Sequence, residues 1–169
     1  AFASGSILID GSGTNISIEN SSFDGVGNVC IEQSEQVDQS FGKYVPIMSD
    51  SSLSGATSPF TSIVDNHFSG IDTTQAPILS VAYNSGSTLW IERNNFSSLS
   101  GAAIAFSANA TIIQNTFVNT CNDATDCAVV QNLTNDVGTS VISQNTFQHS
   151  GTGILTSGSV DAVRIEQNA

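Results

Sequence analysis

Two near-identical stretches, IIQNTF at residues 112–117 and ISQNTF at residues 142–147, decide how this chain folds. Both fit the pattern Ile-x-x-Asn-x-Phe, which also begins at residues 63 and 91, and at residue 18 with Ser21 in place of the asparagine. A sixth copy begins at Ile165 and includes Asn168. This recurrence predicts a structural repeat in which each copy builds the same piece of backbone.

The residues around each asparagine predict a strand, a bend and a second strand. Stretches such as TNISIEN and STLWIER alternate apolar and polar residues, which is typical of a strand with one buried face. Asparagine tolerates left-handed backbone geometry, so we expect it to form the sharp bend after the strand. The phenylalanine then returns to the interior, and a second apolar segment follows, as in GAAIAF and GTGILT.

Stacking explains why the pattern has to repeat. A unit this short cannot bury its own apolar face, whereas stacked copies can, at the usual strand spacing of about 4.8 Å. The stack predicts an internal column of Phe23, Phe68, Phe96, Phe117 and Phe147 and a hydrogen-bonded ladder of Asn66, Asn94, Asn115 and Asn145. In such a ladder each amide satisfies the donors and acceptors of its neighbours.

The pattern Ile-x-x-Asn-x-Phe followed by Gly-x-Gly-Ile, as in residues 142–154, resembles the right-handed parallel β-helix repeat. That repeat occurs in pectate-lyase-like enzymes, phage tailspikes, bacterial surface passengers and extracellular filament proteins of eukaryotes. The resemblance covers nearly the whole chain from residue 14. It implies an all-β fold, a right-handed parallel β-helix (a solenoid) of about six coils, in a single domain over residues 1–169. It implies little about function, because the fold is widely reused.

Two long intervals between copies predict loop insertions, at about residues 33–43 and 120–127. Long excursions from a solenoid often carry its contacts, although tolerated surface insertions are the alternative. The second interval contains CNDATDC, in which Cys121 and Cys127 could close a small disulfide in an oxidising compartment. Cys30, in the apolar run VCI, is expected to be a buried thiol.

Composition and charge exclude several classes of partner. Ser, Thr and Asn supply 57 of the 169 residues, which favours turns and strands over helices. Fifteen acidic residues against three basic ones give a net charge of −12. This balance excludes nucleic-acid binding and a polybasic membrane-surface role, since both rest on Lys and Arg. No apolar run approaches the roughly 20 residues of a spanning helix, so we expect no membrane insertion.

The residues needed for polysaccharide cleavage are scarce. A lyase of the pectate type uses a basic residue and calcium-binding aspartates, but the basic residues are only Lys43, Arg93 and Arg164, and the negative chain repels uronates. A glycoside hydrolase needs two carboxylates, for which Asp65, Glu92 and Glu19 at the repeated bend are candidates. Asp65 is expected to pair instead with Arg93 of the next copy.

Other features of the repeat also favour a passive wall. The residue before each asparagine forms a mostly neutral row of Asn20, Asp65, Arg93, Gln114, Gln144 and Gln167. His67 and His149 occupy different positions in their copies and do not form a pair. We therefore predict no catalytic residue, no metal and no cofactor, with weak calcium binding by the loop NDATD as the exception.

Trp90 and the glycosylation sequons are the candidate surface features. Strand alternation places Trp90 outward, where it could anchor a protein contact, stack on a sugar ring or lie under a loop. N-x-S/T sequons occur at Asn15, Asn20, Asn95, Asn109 and Asn132. They are compatible with a secreted protein that carries N-linked glycans.

These observations predict an extracellular or cell-surface structural module. The chain begins at Ala1 without a signal peptide, as a processed product or a segment of a longer chain would. It begins with the strand-like SILID, shows no capping helix, and stops within a sixth copy, which favours further coils or stacked subunits. Since a head-to-tail contact that does not close generates a filament, we expect a building block of a surface fibre, flagellar-hair-like filament or sheath, with itself or homologous subunits as partners. The alternatives are a carbohydrate-active β-helix enzyme and an adhesin or receptor-binding stalk.

Overall fold

The structure, a computed structural model, describes residues 7–10, 16–24, 31–34, 47–50, 60–71, 73, 78–82, 88–107, 109–121, 128–132, 139–156 and 162–169. These residues form eighteen β-strands and no helix. In chain order the strands are β1 (Ile7–Asp10), β2 (Ile16–Glu19), β3 (Ser22–Asp24), β4 (Ile31–Ser34), β5 (Ile47–Asp50), β6 (Phe60–Val64), β7 (His67–Ser69), β8 (Leu79–Ala82), β9 (Thr88–Glu92), β10 (Asn95–Leu99), β11 (Ile104–Ser107), β12 (Asn109–Ile113), β13 (Thr116–Thr120), β14 (Ala128–Asn132), β15 (Thr139–Ser143), β16 (Thr146–Gln148), β17 (Thr152–Thr156) and β18 (Ala162–Glu166).

The described strands form three parallel sheets. Sheet 1 contains β1, β4, β5, β8, β11, β14 and β17; sheet 2 contains β2, β6, β9, β12, β15 and β18; sheet 3 contains β3, β7, β10, β13 and β16. From β5 onward the chain visits sheets 1, 2 and 3 in turn, and each strand from β8 onward pairs with the strand three before it. The all-β prediction is confirmed for the described residues, and the stacked parallel strands are compatible with a β-helix.

The rotation through the sheets is interrupted between β4 and β5. These two strands follow each other in the chain and pair side by side in sheet 1. Sheets 2 and 3 have no described strand that corresponds to this extra strand of sheet 1. In sheet 2, β2 pairs directly with β6, and in sheet 3, β3 pairs directly with β7. The insertion predicted at about residues 33–43 overlaps the end of β4, since Gln33 and Ser34 pair with β1 in sheet 1. Its remainder, residues 35–43, lies outside the described residues.

Equivalent residues of the repeat stand in register across sheets 2 and 3. One column of sheet 2 consists of Ile18, Ile63, Ile91, Ile112 and Ile142, none more than 8% exposed. In sheet 3, Phe68, Phe96 and Phe117 are fully buried. Because successive side chains of a strand point to opposite faces, this register also fixes which residues face outward.

The bend between sheets 2 and 3 is formed by the residue before each asparagine. Left-handed φ values occur at Asn20 (51°), Asp65 (57°), Arg93 (53°), Gln114 (57°), Gln144 (57°) and Gln167 (55°), and not at the ladder asparagines. The prediction that asparagine itself takes the left-handed conformation is therefore wrong. The physical reason is that the asparagine side chain is buried in the ladder. The outward residue before it therefore takes the left-handed conformation that turns the chain.

A second bend, two residues after the phenylalanine, occurs in the four described copies from Phe68 to Phe147 and was missed at the level of sequence. Left-handed φ values recur at Gly70 (63°), Ser98 (54°), Asn119 (51°) and His149 (48°). The residues share no side-chain chemistry beyond small size or polarity, so the position carries only a weak sequence signal. Together the two bends turn the chain from sheet 2 into sheet 3 and then out of it.

Replacing Gly101 with alanine is expected to destabilise the fold by about 1–3 kcal/mol, because the added methyl group overpacks a buried site. A Cβ atom at Gly101 would lie 2.8 Å from the carbonyl carbon of Thr73 and closer still to its oxygen. Gly153→Ala is the matched control, since its nearest contact would be Phe147 Cγ at an ordinary 3.4 Å. Urea denaturation followed by circular dichroism measures both, and equal losses at the two sites would contradict the packing explanation.

Candidate functional site

The phenylalanine column is an internal stack. Ring centroids are 4.9–5.0 Å apart from Phe23 through Phe68, Phe96 and Phe117 to Phe147, with interplanar angles of 4–7°. The three central rings are fully buried, while Phe23 and Phe147 are partly buried against the same core. The three central rings therefore contribute to packing and offer no surface to a ligand.

The asparagine column forms a continuous hydrogen-bonded ladder next to the bend. Asn94 Oδ1 accepts from the backbone N–H of Asn66 at 2.9 Å and from Asn66 Nδ2 at 3.0 Å. Asn94 Nδ2 in turn donates to Asn115 Oδ1 at 3.0 Å and to the carbonyl oxygen of Ile63 at 2.8 Å. Every polar atom of the side chain is thus satisfied in a buried position.

The ladder extends further than the four predicted asparagines. Asn145 Nδ2 donates to Asn168 Oδ1 at 3.0 Å, so the sixth copy of the repeat supplies a rung. At the other end the backbone N–H of Ser21 donates to Asn66 Oδ1 at 3.0 Å. Because serine has no side-chain amide, Ser21 does not continue the ladder. The partial sixth copy in the sequence was the signal for Asn168. The ladder is a structural device, since its asparagines are engaged with protein atoms.

The outward row before the asparagines carries a second set of contacts. Gln114 Nε2 donates to Gln144 Oε1 at 3.0 Å, and Gln144 Nε2 donates to Gln167 Oε1 at 3.3 Å. Below them Arg93 makes a two-pronged contact with Asp65, with Nε and Nη2 each 2.8 Å from a carboxylate oxygen. Asp65 and Arg93 thus form the predicted pair, within a row of exposed planar polar groups.

Arg93 sets the electrostatics of this row. Its hydrogen bonds lower the pKa of Asp65 below the ordinary value, and Asp65 in turn raises the pKa of Arg93. Arg93 also contacts Glu92 through Nη1, so one guanidinium holds two of the three carboxylates that were candidates for hydrolysis. A general acid of a glycosidase needs a raised pKa, and Asp65 has the opposite shift.

Replacing Arg93 with glutamine is expected to raise the pKa of Asp65 toward its ordinary value, because the dominant hydrogen bond to the carboxylate is lost. In the wild-type chain the lowered pKa keeps the pair intact at neutral pH, and the pair is lost only as the pH falls through that lowered pKa. Carboxyl chemical shifts in an NMR titration measure the change. Arg164→Gln is the control, since Arg164 pairs with Glu166 and should leave Asp65 unaffected.

Trp90 lies on the outer face of sheet 2, as predicted. It is partly exposed, and its Nε1–H donates to Glu92 Oε2 at 2.9 Å. In the register of sheet 2 it stands between Ser62 of β6 and Thr111 of β12. Strand alternation predicted the direction of the side chain but not its bond to Glu92, which depends on the rotamers of both residues.

The two histidines are not brought together. His67 begins β7, and its Nε2 lies 3.4 Å from Asp24 Oδ1 at the surface. His149 follows β16 and occupies the second bend, with an exposed side chain. In the described part of the chain, no group of three or more His, Cys, Asp or Glu residues is arranged to hold a metal ion.

The predicted cysteine and calcium features are described only at one residue. Cys121 is buried and disulfide-bonded, with a left-handed φ of 60°. Cys30 and Cys127 lie outside the described residues, as does the rest of the predicted insertion at residues 122–127, including the candidate calcium loop. Thr120, where that insertion was predicted to begin, is the last residue of β13.

The sequons differ in exposure. Asn20 and Asn95 are exposed, at the first bend and on the outer face of sheet 3, whereas Asn109 is partly buried at the start of β12. Asn132 is the last residue of β14, and Asn15 lies outside the described residues. Asn20 and Asn95 are therefore the described positions with most room for a glycan.

Comparison with known proteins leaves the geometry as the basis for assigning a function. No protein-family model, no curated protein and no solved structure matches the chain. A search of the described residues for a helix long and apolar enough to cross a membrane finds none.

Proposed function

We propose that the chain is a right-handed parallel β-helix of about six coils, and that it is an extracellular, glycosylated building block of a surface fibre, filament or sheath. The rotation through three parallel sheets supports the β-helix, because a crossover between parallel strands is almost always right-handed. The buried ladder and phenylalanine stack support a rigid module, since both columns tie every coil to its neighbours.

The proposal rests on one observation: a member of the buried isoleucine column of sheet 2 is exposed at one edge of the stack. Strands β16, β17 and β18 are the last in stacking order of the three sheets. Ile165 stands in register with Ile142, yet Ile165 is 49% exposed and Ile142 is 0% exposed. A further coil placed on this edge would bury Ile165 as the other isoleucines of its column are buried.

The same edge supplies directional groups for such a coil. Asn168 repeats the ladder position, and the ring of Phe147 is only partly buried. Edge strands are a template for pairing with another chain, and at this edge the backbone N–H of Phe147 already donates to the carbonyl oxygen of Ala169 at 2.7 Å. A further coil on this edge comes either from more residues of a longer chain or from another subunit. A contact between subunits would join two different ends of the molecule, and such a contact leads to a filament.

Electron microscopy of native material tests the proposal. We expect filaments with a regular axial repeat, and we expect Ile165→Lys to prevent their growth because a charge cannot be buried unpaired in the contact. Val64→Lys is the control, since Val64 is partly exposed on the outer face of sheet 2 and its strand β6 lies away from the edge strands β16, β17 and β18. Dispersed monomers in native material, or polymers of Ile165→Lys as long as those of the wild type, would reject the proposal.

A further inference from the structure

Trp90 places a partly exposed aromatic ring on the outer face of sheet 2. The residues in register on either side, Ser62 and Thr111, have short side chains. On the same face, two residues further along the strands, stand Val64, Glu92 and Ile113. The aromatic ring is thus surrounded on this face by short polar, aliphatic and acidic side chains.

The ring is fixed in place by a chain of polar contacts. Trp90 Nε1 donates to Glu92 Oε2 at 2.9 Å, Glu92 also binds Arg93, and Arg93 binds Asp65 through two bonds of 2.8 Å. A side chain that is already ordered loses little conformational entropy when a ligand covers it. The same contacts connect the ring to the outward row of planar polar groups at the bend.

The combination of ring and row suits a sugar chain. A pyranose ring has an apolar C–H face that can lie on an indole, and hydroxyl groups at its edge that need donors and acceptors. Gln114 and Gln144 continue the row beyond Arg93, and each presents an exposed amide one strand further along the stack. Hydrogen-bonding groups that repeat along a line suit a sugar polymer better than a single sugar.

Charge complementarity decides the class of polymer. The chain carries a net charge of −12, and Glu19, Glu92 and Glu166 share one outward column of sheet 2. Polyuronates and sulfated glycans are repelled by such a surface. We propose that Trp90, together with the row from Asp65 to Gln144, is a binding surface for a neutral polysaccharide chain. This surface is separate from the edge proposed for assembly, so it does not depend on polymer formation.

Affinity electrophoresis and fluorescence test the proposal. Dispersed protein is run through gels that contain xylan, mixed-linkage β-glucan or soluble chitin oligomers, with polygalacturonate as the anionic comparison. Because Trp90 is the only tryptophan of the chain, its emission reports directly on the site. We expect retardation by at least one neutral glycan, a shift in emission at the same concentrations, and no effect of polygalacturonate.

Variants connect binding to the ring and to the row. Trp90→Ala is expected to weaken binding by about tenfold or more, and Trp90→Phe to restore part of it, which separates loss of the ring from loss of the fold. Gln114→Ala should weaken binding by about threefold, as loss of one hydrogen bond does. Leu155→Ala, an exposed apolar residue of another sheet, should bind as the wild type does.

Several results would overturn the proposal. Absence of binding to every neutral glycan would do so, as would unchanged binding by Trp90→Ala or equally strong retardation by polygalacturonate. A shift in Trp90 emission that depends on protein concentration without sugar would assign the surface to contacts between copies of the chain. None of these results tests filament formation, which is measured by the growth of filaments from the Ile165→Lys variant.

Discussion

Replacing Phe117 with alanine is expected to lower the free energy of unfolding by about 3–5 kcal/mol. The ring is fully buried and lies between two others, 5.0 Å from Phe96 and 4.9 Å from Phe147. Alanine would remove both stacking contacts and leave a cavity that the flanking strands cannot fill, since β10 and β16 are fixed by their hydrogen bonds to β13.

The measurement is chemical denaturation followed by circular dichroism in the strand region. Val118→Ala is the control, because Val118 is the next residue of β13 and lies on the outer face, partly exposed. Its loss should stay below about 1 kcal/mol, in the range of ordinary surface substitutions. A loss at Phe117 no larger than that at Val118 would contradict the interpretation of the column as the core of the fold.

The stack also predicts how the effect depends on position. In a repeat array each unit interacts only with its neighbours, so the cost of a deletion depends on how many neighbours it has. Phe117 has a ring on each side, whereas Phe23 has one described stacking partner, Phe68. The same substitution at Phe23 should therefore cost less than at Phe117.

The sequence allowed the inward columns to be predicted because their signal is chemical. Ile91, Asn94 and Phe96 each need a particular side chain, so the same residue type recurs in the copies. The second bend has no such requirement: Gly70, Ser98 and His149 all satisfy a left-handed φ, and only the backbone reveals that they are equivalent. Geometry that several residue types can adopt leaves little trace in one sequence.

The assignment of the first bend to asparagine shows the same difficulty in a different form. Asn94 and Arg93 are adjacent, and one sequence cannot show which of the two the repeat keeps for backbone reasons. Propensity favours asparagine, but burial of its amide in the ladder overrides that preference, and Arg93 takes the left-handed conformation. The candidate surface at Trp90 was predictable only in part. Strand alternation predicted that Trp90 points outward, but the contacts that hold its ring depend on the positions of Glu92 and Arg93.

Replacing Asn115 with aspartate is expected to destabilise the fold by about 3–5 kcal/mol at neutral pH, because it leaves buried polar groups without partners and buries a charge. Asn115 Nδ2 donates to Asn145 Oδ1 at 3.1 Å and to the carbonyl oxygen of Ile91 at 3.0 Å. It also donates to the carbonyl oxygen of Ile113 at 3.0 Å, so a carboxylate oxygen in place of Nδ2 would face three acceptors and could donate to none of them. The carboxylate would keep only the bonds that Asn115 Oδ1 accepts from Asn94.

The pH dependence distinguishes this effect from a general loss of packing. Burial and the facing acceptors raise the pKa of the introduced carboxyl in the folded state above that in the unfolded state. At a pH below the unfolded value, about 4, the group is protonated in both states and the penalty of charge is absent. As the pH rises above that value the unfolded chain releases the proton first, so stability relative to the wild type falls until the folded pKa is passed. Denaturation at about pH 3, below the unfolded pKa, and at pH 7 measures the difference.

Gln114→Glu makes the same amide-to-carboxyl change one residue away at an exposed position, and there we expect a small loss with little dependence on pH. Equal behaviour of the two variants would mean that the ladder contributes no more than the solvated row beside it, and the buried amide column would lose its role as the element that holds successive strands in register.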